Sequence, residues 1–162
     1  MASPASFILP EDAAPKIKAL YDYWQSIRPN DLALPGRRHF DPLDIPELLP
    51  NIWMLDVKRD PLRFRFRLIG TEIVRFTGRD STGQWLDEVY PGYAESDAFR
   101  WHCAVAEEAV PSYRKSSVIS NLGRPHIEAE RLYLPLAEDG AQVDIVLVMT
   151  LYSGNPPRTR QR

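Results

Sequence analysis

The sequence predicts an α+β layer structure built on an antiparallel sheet. Three observations carry that expectation. Stretches suited to strands cluster in two places, around Asn51–Ile69 and Ser112–Tyr152. Between the clusters the apolar spacing becomes helical and is interrupted by glycine and proline. The last stretch, Val143 to Tyr152, is apolar on both faces, the pattern of a central strand covered from two sides. Strands grouped at both ends with helices inserted between them fit helices layered on an antiparallel sheet.

The totals bound what such a chain does. Its 162 residues fit one domain with terminal extensions. With 44% hydrophobic and 26% charged residues it has the composition of a soluble protein able to bury a core. The net charge of -2 provides no global basic field, so a nucleic-acid partner is not expected. A single cysteine, Cys103, excludes an intramolecular disulfide and a multi-cysteine zinc site. The opening MASPASFILPEDAAP lacks the basic segment and long apolar stretch of a secretory signal. The longest apolar run, Val143 to Leu151, is too short for a membrane helix and contains Asp144. The expected location is the cytoplasm, with no membrane association.

Taken in order, the first ten residues read as loosely docked. A helix is expected from about residue 12 to 28, with Glu11 and Asp12 at the positive end of its dipole. Ile17, Leu20, Tyr21, Trp24 and Ile27 form its apolar stripe, and Pro29 ends it. The proline-rich stretch from Asp31 to Pro50 reads as an extended loop. Asn51 to Val57 is a strand, Lys58-Arg59-Asp60-Pro61 a turn, and Arg63 to Ile69 a strictly alternating strand. That alternation places Phe64, Phe66 and Leu68 on one face and Arg63, Arg65 and Arg67 on the other. Gly70 stops the strand, Thr71 is a candidate cap for a short helix ended by Gly78, and Ser81 or Thr82 starts a second one stopped by Pro91.

Ala94 to Val110 then reads as the longest helix of the core, burying Phe99, His102, Cys103, Ala106 and Val110. A polar strand from Ser112 to Ser120 is followed by a turn over Asn121–Pro125 and a long strand, Ile127 to Ala137, with Leu132, Leu134 and Leu136 on one face. Glu138-Asp139-Gly140 is a tight turn before the final strand. The tail SGNPPRTRQR reads as disordered and basic.

This order of two strands, short helices, a longer helix and three strands resembles a PAS domain. The stretch RFRFRLIGTEIVRFTGRDSTGQWLDEVYP resembles more closely a bacterial family of small single-domain PAS-like proteins, most of them without an assigned function. Gly70-Thr71 and Gly78-Arg79-Asp80 carry most of the likeness, which spans about Phe40 to Tyr152. It implies a PAS fold: a five-stranded antiparallel sheet with the last strand at its centre, short helices on one face around a small cavity, and an N-terminal amphipathic helix. The corresponding division is an N-terminal extension over 1–39, a domain over 40–153 and a tail over 154–162. Such proteins often dimerise through an N-terminal helix. Ile17, Leu20, Tyr21, Trp24 and Ile27 are therefore the interface candidates, with packing on the chain's own sheet as the alternative.

The inward registers, combined with the family's cavity position, give Phe66, Leu68, Ile73, Phe76, Trp85, Phe99, His102 and Leu134 as pocket candidates. Some PAS sensors hold haem through a histidine on the longer helix, which makes His102 the candidate axial ligand; otherwise it is a packed, hydrogen-bonded histidine. The cysteine motif of light-sensing PAS domains is absent, and Cys103 reads as a small hydrophobe. Gly70, Gly78 and Gly83 match neither dinucleotide nor phosphate-loop spacing. The arginine row of residues 63, 65 and 67 pairs with acids across the sheet, for which Glu128 and Glu130 are candidates, or binds an anion.

His39, His102 and His126 fall in no metal spacing, and no GxSxG elbow occurs. The expectation is therefore a stand-alone PAS regulatory protein, not an enzyme, that binds a small ligand, a protein partner or both. A haem sensor is the first alternative. A small α+β enzyme using His102 and Glu72 is the second.

Overall fold

The computed structural model describes residues 7–118 and 127–154. The expected turn at 121–125, most of the expected N-terminal arm and nearly all of the expected tail lie outside these residues. Five strands form one antiparallel sheet: β1 (Ile52–Lys58), β2 (Arg63–Ile69), β3 (Ser112–Val118), β4 (Ile127–Leu136) and β5 (Ile145–Tyr152). Their spatial order is β2-β1-β5-β4-β3, so the last strand is innermost, flanked by β1 and β4. The double-sided apolar pattern of β5 has its cause here. Its first six residues, Ile145 to Thr150, are all buried.

Helices cover both faces. The helix α1 (Pro15–Ser26) lies across the face that carries Leu132, Leu134 and Leu136 of β4 with Ile145, Leu147 and Met149 of β5. Two contacts place it there. Glu130 accepts a hydrogen bond from the Ala14 backbone N–H at 2.8 Å, and the Trp24 indole donates to the Pro135 carbonyl at 3.0 Å. Ile17, Leu20 and Trp24 are buried against this face. Each contributes about 1.5–3 kcal/mol through the apolar area removed from water. The stripe is therefore packed on the chain's own sheet, the alternative set beside the dimer contact. Tyr21 and Ile27 lie half-buried at its margin, and Tyr21 stacks on Trp24 with the Phe7 ring tilted against it.

The other face carries α2 (Thr71–Thr77), α3 (Leu86–Val89), a 3-10 turn at Tyr93–Glu95 and α4 (Asp97–Glu108). Three boundaries differ from expectation for local reasons. Gly70, not Thr71, occupies the cap position of α2. The second short helix begins only at Leu86, because the chain before it runs along the edge of β2. There Phe66 N–H donates to the Gln84 carbonyl at 2.9 Å and Gly83 N–H to the Phe66 carbonyl at 2.7 Å. The α4 helix starts at Asp97, where the Ser96 hydroxyl accepts from Phe99 N–H at 3.2 Å, and ends at Ala109 in the left-handed region. The Asp31–Pro50 stretch is wound into three 3-10 turns, at Arg37–His39, Pro42–Asp44 and, reaching just past it, Leu49–Asn51.

Gly70 is required by crowding. A Cβ there would lie 2.4 Å from the Pro50 carbonyl oxygen, 2.5 Å from that of Leu49 and 2.6 Å from that of Ile52. The Gly70 N–H donates to the Ile52 carbonyl at 2.7 Å, which fixes the sharp departure from β2 into α2.

Candidate ligand-binding site

A cavity of about 810 Å³ lies between α2–α4 and the sheet. Its floor comes from alternate residues of the strands: Trp53 of β1, Phe66 of β2, Arg131 and Tyr133 of β4, Thr150 and Tyr152 of β5. The helical layer supplies Ile73, Phe76, Leu86, Tyr90, Tyr93, Ala98, Trp101 and His102. The volume falls within the range of small-molecule sites, and the wall is rich in aromatic side chains.

Four of the eight sequence candidates line this cavity: Phe66, Ile73, Phe76 and His102. Four do not. Leu68 is 44% exposed, because β2 carries a bulge. Leu55 pairs with Phe66 and Met54 with Leu68, so Arg67 is an extra residue and everything beyond it changes face. Leu134 is fully buried but on the opposite face, beneath α1, paired with Leu147. Trp85 lies outside the β2 edge, with the Arg63 guanidinium 4.1 Å from its ring centroid. Phe99 packs behind the wall, edge-on to Phe64 and Tyr93.

The sequence reading missed Trp53, Tyr90, Tyr93, Trp101, Arg131, Tyr133, Thr150 and Tyr152. A signal for some of them was present: β4 and β5 each have a second face, and on it Arg131, Tyr133, Thr150 and Tyr152 interrupt an otherwise aliphatic run.

His102 is buried at the back of the cavity. Its Nδ1 lies 2.6 Å from the Tyr93 hydroxyl, and the rings of Trp53, Phe64 and Tyr133 approach within 5.9, 5.5 and 5.5 Å between centroids. Burial, with a smaller contribution from Arg131, pushes its pKa down from 6.5 to about 3, so the imidazole is neutral. Burial also pushes the Tyr93 hydroxyl far up, so this pair shares one proton between two neutral groups.

Haem does not fit this histidine. An axial ligand needs a ring nitrogen standing clear over an open slot, whereas here the rings of Trp53, Phe64 and Tyr133 crowd the imidazole. Nor is the acid–base pair of the enzyme alternative assembled. Glu72 faces outward on α2, held by Arg75 through bonds of 3.1 and 2.9 Å, and is not part of the cavity wall.

The arginine row is paired, though not with Glu128 or Glu130. Asp56, directly across the β1–β2 ladder, takes Arg65 and Arg67 at 3.2 Å each. Arg63 makes a two-pronged bond to Asp87 at 2.8 and 2.7 Å, which lowers the Asp87 pKa. Glu130 instead accepts from the Tyr113 hydroxyl and the Ala14 backbone.

A sheet with its last strand innermost, a row of short helices on one face and a cavity between the two is the arrangement the likeness implied. A family model described as PAS domain matches residues 13–150. The chain belongs to the PAS domain family. No curated protein matches it significantly. The role of PAS domains is in general sensory and regulatory, in signal transduction. The family match takes in α1 as well as the sheet, in line with their shared core. Among the described residues of this PAS domain, no group of histidine, cysteine and acidic side chains is arranged to hold a metal ion, and no helix is long and apolar enough to cross a membrane.

Proposed function

We propose that this PAS domain is a regulatory module that takes up a small molecule in the cavity and passes its occupancy to a protein partner. The observation that carries the reading is the cavity itself: about 810 Å³ of partly open space, rich in aromatic side chains, between the helical layer and the sheet. Empty apolar space forfeits dispersion contacts, so a ligand that fills it recovers them. The helical layer suits readout. Three of its members are short, with α2 at seven residues, α3 at four and the Tyr93–Glu95 turn at three, and each contributes to the wall. Short elements have little stability of their own, so a ligand that favours one arrangement of them shifts its population.

The test is a screen of small molecules by thermal shift and hydrogen exchange on the full chain, alongside Ala98→Trp, which fills the cavity from α4. A true ligand raises the melting temperature and slows exchange in α2, α3 and the start of α4, and Ala98→Trp abolishes both effects. Stabilisation that persists in Ala98→Trp, or a library that leaves both chains unchanged, would overturn the reading.

A further inference from the structure

We propose that the cavity takes an aromatic carboxylate, with its acid group on the Arg131 guanidinium and its ring against the aromatic wall. This rests on the cavity being a ligand site and names the class of ligand. The starting observation is a pair of arginines. Arg114 of β3 and Arg131 of β4 are direct cross-strand partners on the cavity face of the sheet. Like charges placed opposite each other destabilise a ladder, and cations drawn away from water cost more unless paired.

Six other described arginines meet acids, and Arg28, Arg37, Arg59 and Arg79 are satisfied by backbone carbonyls. Arg38, Arg63, Arg65, Arg67, Arg75 and Arg100 all form ion pairs. Among the described residues no carboxylate lies within ion-pair reach of Arg114 or Arg131, and the stretches outside them contain no aspartate or glutamate. The described partners of the two are neutral. Arg131 donates to the Ser116 hydroxyl at 3.0 Å, and the Arg114 guanidinium lies 4.5 Å from the centroid of the Trp101 ring. The Arg114 Nε is buried with no hydrogen-bond acceptor. Two positive charges thus stand at one end of a space that Arg131 and Trp101 both line.

An anion supplies the missing partner, and the planar guanidinium fork matches a carboxylate with two parallel bonds. The remaining wall selects the body of the ligand. Trp53, Phe66, Phe76 and Tyr90 offer ring faces and edges to a flat apolar group, and a small hydrated anion would leave them unused.

The experiment compares 2-naphthoate with its neutral isostere 2-naphthamide by calorimetry and tryptophan fluorescence on the full chain. The expected result is that naphthoate binds more tightly by about tenfold or more, the scale of one charge-assisted bond pair. Arg131→Gln removes the difference, so that the two probes bind alike, and their residual binding reports an intact cavity. Arg131→Lys keeps the charge without the fork and retains part of the preference. Equal affinities in the native chain, or a preference that survives Arg131→Gln, overturn the anion assignment and leave the cavity reading standing. Failure of both probes to bind overturns this inference and leaves the cavity reading to the wider screen, whereas binding undiminished by Ala98→Trp overturns both.

Discussion

Replacing His102 with glutamine should change how the fold responds to acid. The imidazole is fully enclosed, and its pKa falls from 6.5 in the unfolded chain to about 3 in the fold. Between those values the unfolded chain binds a proton that the folded chain refuses. Stability is therefore complete above about pH 6.5 and declines as the pH falls, by about 1.4 kcal/mol per unit, until the folded ring titrates. From about pH 7.5 to about pH 5 the loss from this residue is about 2 kcal/mol, and any folded value below about 4 gives the same result. His102→Gln removes the titration and keeps a polar partner for Tyr93, whose hydroxyl lies 2.6 Å from Nδ1. Urea unfolding of both chains at the two pH values is the assay, since carboxylates common to both cancel in the difference. The native chain should lose about 2 kcal/mol more than the variant. Equal losses would show that the ring is protonated in the fold and would refute the neutral Tyr93–His102 pair.

Three further outcomes follow from the packing. Gly70→Ala should cost about 3 kcal/mol in urea unfolding, because a Cβ collides with backbone oxygens that cannot turn aside, and a cost below about 1 kcal/mol would contradict that crowding. Phe66→Ala should cost about 3–4 kcal/mol and Leu68→Ser less than about 0.5 kcal/mol, two residues apart on one strand; similar costs would disprove the bulge at Arg67. Haemin titrated into the purified protein should give no Soret band that depends on His102, and a band lost in His102→Ala would show that the aromatic cage opens.

Most of the fold was legible in the sequence because strand alternation and helix punctuation are local. The two apolar faces of Val143 to Tyr152 were enough to place that strand at the centre of the sheet. The site was legible only in part, for reasons that are not local. Alternation says that Leu132, Leu134 and Leu136 share a face but not which layer covers it, and here α1 does. The bulge that turns Leu68 outward depends on the pairing of β1 with β2, which no pattern within RFRFRLI reveals. The partner of Arg63 proved to be Asp87, 24 residues along the chain, because the run before α3 lies along the edge of β2. The opposed arginines are 17 residues apart and become neighbours only once the β3–β4 register is known.

The alternating sides of β5 divide two tasks within a single short segment. Ile145, Leu147 and Met149 answer to α1, while Thr150 and Tyr152 on the opposite side line the hollow. Substitutions on the second set can retune what the hollow accepts while the first set goes on anchoring the N-terminal cover. On the proposed function, descendants of this chain can therefore exchange one chemical cue for another by single steps that leave the contact with the N-terminal cover in place.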